Sequence, residues 1–162
     1  MIGRKDDPAF LYFPTNYRWS MGLLICLGAA PWTGIEIDEV HRVARALEDH
    51  VGDDSAWFEQ WTRMGDKIEA RGRDAENRRH RLTAAACFLR ASRYYQTGER
   101  FIHPRSPRSM DVYAKSVKIF QDAAAIIRHP RIEPVEVPYD GTSLPASPSC
   151  RIYLPRPMSS SS

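Results

Sequence analysis

Disulfide pairs, clustered glycines, long apolar runs and an excess of one charge are all missing from this sequence. Its three cysteines, Cys26, Cys87 and Cys150, lie far apart with no CxxC pair. That excludes a disulfide-stapled scaffold and a cysteine-based zinc site, and it fits reduced thiols in a cytoplasmic protein. The nine glycines are scattered singly, so no Gly-rich loop is present to cradle a phosphate. The longest apolar run, from Met21 to Ala30, is too short to span a bilayer. It follows Asp6 and Asp7 too late for a secretory signal, which leaves a buried helix as its reading.

Charge is nearly balanced. Lys plus Arg number 23 against 20 Asp plus Glu, a net +3 in 162 residues, too little for a polyanion-binding protein. The densest basic stretch, Arg71, Arg73, Arg78, Arg79, His80 and Arg81, is interrupted by Asp74 and Glu76 and interleaved with no aromatics. It reads as a solvated helix face, and no nucleic-acid partner is implied. Catalytic motifs are absent as well. No G-x-S-x-G nucleophile elbow occurs, since Ser143, two places after Gly141, is followed by Leu144 and Pro145. The five histidines, His41, His50, His80, His103 and His129, show no metal-ligand spacing. The expectation is no catalytic residue, no metal and no cofactor.

What remains is ordinary for one folded domain: 43% hydrophobic and 27% charged residues. Residues 1–16 carry Phe10, Tyr12 and Phe13 between Pro8 and Pro14 and read as an aromatic arm docked on something apolar. A helix from Tyr17 to Ala30, apolar nearly all round, is ended by Pro31. Thr33-Gly34-Ile35-Glu36 has capping-box spacing. The helix after it shows a stripe of Val40, Ala44, Leu47 and Val51 and stops at Gly52. Asp53, Asp54 and Ser55 start a third helix with Trp57, Trp61, Met64 and Ile68 on one face. The two tryptophans one turn apart are core area first and a ligand platform second.

A fourth helix, from Arg78 to about Ile102, buries Leu82, Ala85, Ala86 and Leu89 together with Phe88, Ala91 and Tyr95. Past the turn His103-Pro104-Arg105-Ser106-Pro107, Ser109 can cap a fifth, with Tyr113, Val117, Phe120, Ala124 and Ile127 inward and Pro130 beyond its end. Glu133 to Tyr139 then alternates like an edge strand, and Asp140-Gly141 reads as a tight turn. The spacing Ala84, Phe88, Ala91 recurs at Ser116, Phe120, Ala123, which resembles tetratricopeptide helix pairs. The fold class expected is mainly α, five helices in antiparallel pairs, with a short β-hairpin at the C-terminal end.

Three segments in order carry a further resemblance: Ser55-Ala56-Trp57-Phe58-Glu59-Gln60-Trp61, then Phe88-Leu89-Arg90-Ala91-Ser92-Arg93-Tyr94-Tyr95, then Val135 to Ala146. The arrangement is similar to the N-terminal helical cap of the α/β-hydrolases that include 2,6-dihydroxypseudooxynicotine hydrolase and the fermentation–respiration switch esterases. The resemblance covers roughly residues 8–146. It implies a cap over the active site of a serine hydrolase acting on an ester, or on a C–C bond next to a ketone. The nucleophile, acid and histidine would lie in a catalytic half that this sequence does not contain, so the chain alone is expected to be inactive, as a frameshift or premature stop would leave it.

On this reading 17–130 is the cap, 131–146 the first strand region of the hydrolase sheet and 147–162 a disordered Ser/Pro tail. The resemblance makes Phe10, Phe13, Tyr94 and Tyr95 the candidates to line a substrate pocket, against the plainer role of core contacts. Arg90 and Arg93 are expected to pair with acids inside the bundle. Partners would be a small-molecule substrate only with the catalytic half present, with self-association through an uncovered apolar face. The other reading is a stand-alone tetratricopeptide-like module that binds a protein or peptide.

Overall fold

A computed structural model describes residues 11–128, 132 and 135–146. Phe10, Pro130 and the Ser/Pro tail lie outside them. The described residues are mainly helical, with six α-helices followed by a two-stranded antiparallel sheet. Helix α1 is Tyr17–Gly28, α2 Ala30–Thr33, α3 Ile37–Ala46, α4 Asp54–Asn77, α5 Arg81–Glu99 and α6 Pro107–Ile126; the strands are β1 Val135–Tyr139 and β2 Thr142–Ala146. Among the described residues no helix is long and apolar enough to cross a membrane.

The antiparallel pair α4 and α5 is the spine, α6 packs along α5, and α1 to α3 close the other side of the pair. The aromatic face of α4 buries as its spacing predicts: Trp57, Trp61 and Ile68 are fully enclosed and Met64 nearly so. Close approach of the two helices depends on glycine. A β-carbon on Gly65 would stand 2.5 Å from the Tyr95 ring, and one on Gly72 would stand 2.5 Å from the Phe88 ring. Each pair is separated by seven positions, one knob-and-hole step, so the glycines form the holes that the aromatic rings of α5 fill. Asp53 caps α4 as expected, its carboxylate accepting from the amides of Ser55 and Ala56.

Local signals elsewhere resolve differently. The Thr33 hydroxyl donates to the carbonyl of Ala29 at 2.9 Å, so the capping box does not form, and Glu36 stands at the start of α3 with no side-chain cap bond. Pro31 does not end α1. It sits in the first turn of α2, where its missing N–H costs nothing. The second stripe ends early, because α3 stops at Ala46 and a short 3-10 turn over Glu48–His50 leaves Val51 exposed, with Gly52 beyond it at φ 98°. In α5, Leu82 lies in the first turn and is exposed. The cap of α6 is Ser106, which accepts from the Ser109 amide, while Pro107 takes the first helical position.

The largest correction concerns which face of α6 is inward. Val112, Ser116, Ile119 and Ala123 are buried, whereas Tyr113 and Val117 are exposed and Phe120, Ala124 and Ile127 only half-buried. The expected stripe is turned by about one residue, or roughly 100°. Small residues explain it. Ser116 is fully enclosed, and its carbonyl accepts the Ser92 hydroxyl at 2.9 Å, which draws α6 against α5 along its small-residue face. After α6, β1 pairs with β2 from Val135↔Ala146 to Tyr139↔Thr142. Asp140 and Gly141 both take positive φ, 43° and 74°, as a type I′ turn requires.

Candidate functional site

Of the four aromatic candidates, Phe10 lies outside the described residues and three are enclosed. Phe13 is 4% exposed, edge-on to Trp19, and its backbone exchanges two bonds of 2.9 Å with the Ser20 hydroxyl. Tyr94 and Tyr95 are both fully buried. Consecutive residues on a helix point about 100° apart, and each finds a different acid. The Tyr94 hydroxyl donates to Glu39 of α3 at 2.6 Å. The Tyr95 hydroxyl lies 2.8 Å from both Asp66 and Glu69 of α4, and Lys115 of α6 approaches its ring and the same carboxylates.

Those surroundings decide what the phenols can do. Burial, then the accepting Glu39, pushes the Tyr94 phenol well above its ordinary range; burial, then Glu69 and Asp66, does the same for Tyr95. Both stay neutral donors at physiological pH, unsuited to act as a base or nucleophile. Neither lines the two open clefts that Arg93 borders. Phe13, Tyr94 and Tyr95 belong to one aromatic core with Trp19, Trp57 and Trp61, whose ring centroids follow one another at 5.1 to 5.7 Å.

The two arginines of α5 part company. Arg90 pairs with acids as expected, its Nε 3.0 Å from Glu39, with Glu36 and the Gly34 carbonyl nearby. Arg93 does not: among the described residues no carboxylate lies within ion-pair distance of it. Its guanidinium has only long contacts, 3.3 Å to Gln96 and 3.4 Å to the Ile25 carbonyl. Its Nε is enclosed and without an acceptor. The reason is topological, since one turn of α5 faces α3 and its acids while the next position faces the open side between α1, α2 and α6.

Two open clefts meet on that side, and Arg93 and Gln96 border both. One, of about 410 Å³, has Ile25, Trp32, Leu89 and Phe120 as apolar walls. The other, of about 640 Å³, runs past Glu99, Arg100 and Ile102 to Met110 and Tyr113. Trp32 is 80% exposed at the rim, and Met110, Tyr113 and Val117 are exposed because α6 is turned as described. Burial raises the Glu99 carboxyl. Sequence reasoning missed this face. The signal was the α5 series Leu89, Arg93, Gln96, Arg100, at helical spacing on a helix otherwise crowded with apolar residues.

No family model matches the sequence. Curated proteins do match it. Hydrolase acrC of Aspergillus aculeatus is 30% identical over 149 residues, which is 91% of this chain and 34% of that protein. Hydrolase LUC6 of a Fusarium species is 31% identical over 90% of this chain and 33% of its own length. The α/β hydrolase ucsC of an Acremonium species is 26% identical over 82% of this chain and 28% of its own length. The chain therefore resembles, along most of its length, one portion of proteins named as hydrolases, and it spans about a third of the length of the curated relatives it matches.

Proposed function

We propose that this chain is the helical cap portion of an α/β-hydrolase, with residues 17–130 as the cap body and 131–146 as the start of the hydrolase sheet. The face around Arg93 and Trp32 turns toward the catalytic portion and forms a pocket wall. The reaction is hydrolysis of an ester or of a C–C bond next to a ketone, and the subgroup is the one that includes 2,6-dihydroxypseudooxynicotine hydrolase. Phe13, Tyr94 and Tyr95 support that wall from behind. A cap of this kind excludes water and holds the apolar body of a substrate, which is chemistry that an open, apolar-walled cleft can supply without a nucleophile of its own.

The observation that carries the reading is the match to a third of several hydrolases, joined to the lack of any nucleophile elbow in the matched part. The test adds the remaining two thirds of acrC as a separate polypeptide. The expected result is no hydrolysis of p-nitrophenyl butyrate by the chain alone and complex formation with hydrolysis once the second piece is present. Turnover by the chain alone, abolished by a serine-directed fluorophosphonate, overturns it.

A stand-alone peptide-binding module is the second reading. The full burial of Ala84, Phe88 and Ala91 at a helix-pair contact favours it. In the second copy of the spacing, however, Phe120 borders a cleft instead of filling the gap between helices.

A further inference from the structure

We infer that Arg93 is the anion-recognising group of the open face, and that the ligand is a small organic acid bearing one carboxylate on an apolar, aromatic body. The inference rests on the cap reading for the ligand's role as substrate, but not for its binding to this chain.

Three observations converge on Arg93. Its guanidinium stands where the two clefts join, so a molecule in either can reach it. Its partners are a neutral amide and a carbonyl at 3.3 and 3.4 Å, and its Nε has no acceptor. The neighbouring Arg90 shares the unbonded Nε but differs in charge partners, pairing with Glu39 at 3.0 Å and Glu36 at 3.4 Å, whereas Arg93 faces no carboxylate among the described residues. A planar guanidinium offers a fork of donors that matches a carboxylate through two parallel bonds, and it does so best at a partly desolvated site. In Arg93 the Nε is enclosed and unmatched, while the two terminal nitrogens stay open toward the clefts with only long contacts.

The walls select the rest of the ligand. The smaller cleft that Arg93 borders is also lined by Phe120, Leu89 and Trp32, whose exposed ring offers a stacking surface. About 410 Å³ holds a molecule of one or two rings. Of the other charges on this face, Arg100 adds attraction and Glu99 opposes it. A carboxylate at Arg93 with its ring toward Trp32 lies in the smaller cleft, which Glu99 does not border. A polyanion, by comparison, would need a broader basic track than this face provides.

The experiment titrates the full chain with 4-phenylbutyrate and with 4-phenylbutan-1-ol, its neutral counterpart, by equilibrium dialysis and by Trp32 emission. The expected result is saturable binding of one acid per chain, about tenfold tighter than the alcohol, the order of gain a charge-assisted bidentate pair supplies. Arg93→Gln brings the acid down to the affinity of the alcohol. Should Arg93→Gln fail to fold, the comparison of acid with alcohol on the wild-type chain decides the matter. Equal affinity for acid and alcohol, no saturable acid binding, or unchanged acid binding by folded Arg93→Gln overturns the proposal. Binding of a glutamate-rich peptide but not of the small acid overturns it in favour of a protein partner. Complex formation with the acrC piece is read separately, so a failure here leaves the cap reading standing, and the reverse.

Discussion

The ring of Tyr95 occupies the space where a β-carbon on Gly65 would stand, 2.5 Å from Cε1. Gly65→Ala therefore forces a ring that is itself fixed to Asp66 and Glu69 to move. Although alanine ordinarily stabilises a helix relative to glycine, overpacking dominates here, and a loss of about 1–3 kcal/mol is expected in urea unfolding. Gly28, at the end of α1, has nothing within 4 Å of the same construction. Gly28→Ala is expected to be neutral or stabilising by about 0.5 kcal/mol. Equal effects at the two positions would mean that α4 and α5 do not pack as described.

Alkaline stability follows from the buried phenols. Both tyrosines have folded-state values raised above the ordinary 10.0, so the fold favours their neutral form. That contribution is complete below pH 10 and is lost as pH rises beyond it. Lys115, raised by its bonds to Asp66 and its charge pairing with Glu69 against a burial cost, loses its contribution in the same direction. Tyr94→Phe is expected to cost about 1–3 kcal/mol at neutral pH, because it strips a donor from a buried carboxylate. It should also flatten the fall in stability above pH 10. A wild-type protein equally stable at pH 9 and 11 would contradict this account.

Arg79 holds φ 63° after the end of α4, where its amide bonds to the Glu76 carbonyl at 2.8 Å and the His80 amide bonds to that of Ala75 at 2.8 Å. This is a Schellman ending with arginine at the position glycine prefers. Arg79→Gly is expected to raise stability by about 1 kcal/mol through relief of left-handed strain. Destabilisation on urea unfolding would show that the Arg79 side chain holds a contact that matters more.

Trp32 is 80% exposed, while Trp19, Trp57 and Trp61 are fully buried. Acrylamide should quench one red-shifted component of the emission, and Trp32→Phe should remove that component with a stability change within about 0.5 kcal/mol. Uniform quenching of all tryptophans would mean an open core.

Periodicity read α4 well because its inward residues are large and apolar: Trp57, Trp61, Met64 and Ile68 declare one face. It misread α6 because that helix's contact with α5 is made by small residues. Ser116 and Ala123 are fully buried, yet hydrophobic counting ranks them below Tyr113 and Val117, which face outward. The same limit hid the site. Phe13, Tyr94 and Tyr95 stood out for their size, and size placed them in the core. Arg93 looks like Arg90 in the sequence. Only the placement of α3 against one side of α5 separates an arginine with acids from one without.

The hairpin has a property set by where its prolines fall. In a two-residue type I′ hairpin the pair beside the turn, Tyr139 and Thr142, exchanges both ladder bonds, and alternate pairs turn their amides outward. Pro138 and Pro145 occupy two of those outward places, one on each strand. Each edge of the ribbon thus lacks a donor that an incoming strand would need, leaving Glu136 on one side and Ser143 on the other. Natural sheets use such gaps to discourage pairing with a stranger's backbone. Here each flank of the ribbon carries one such gap, so a strand joining from either side has only Glu136 or Ser143 to pair with beside it.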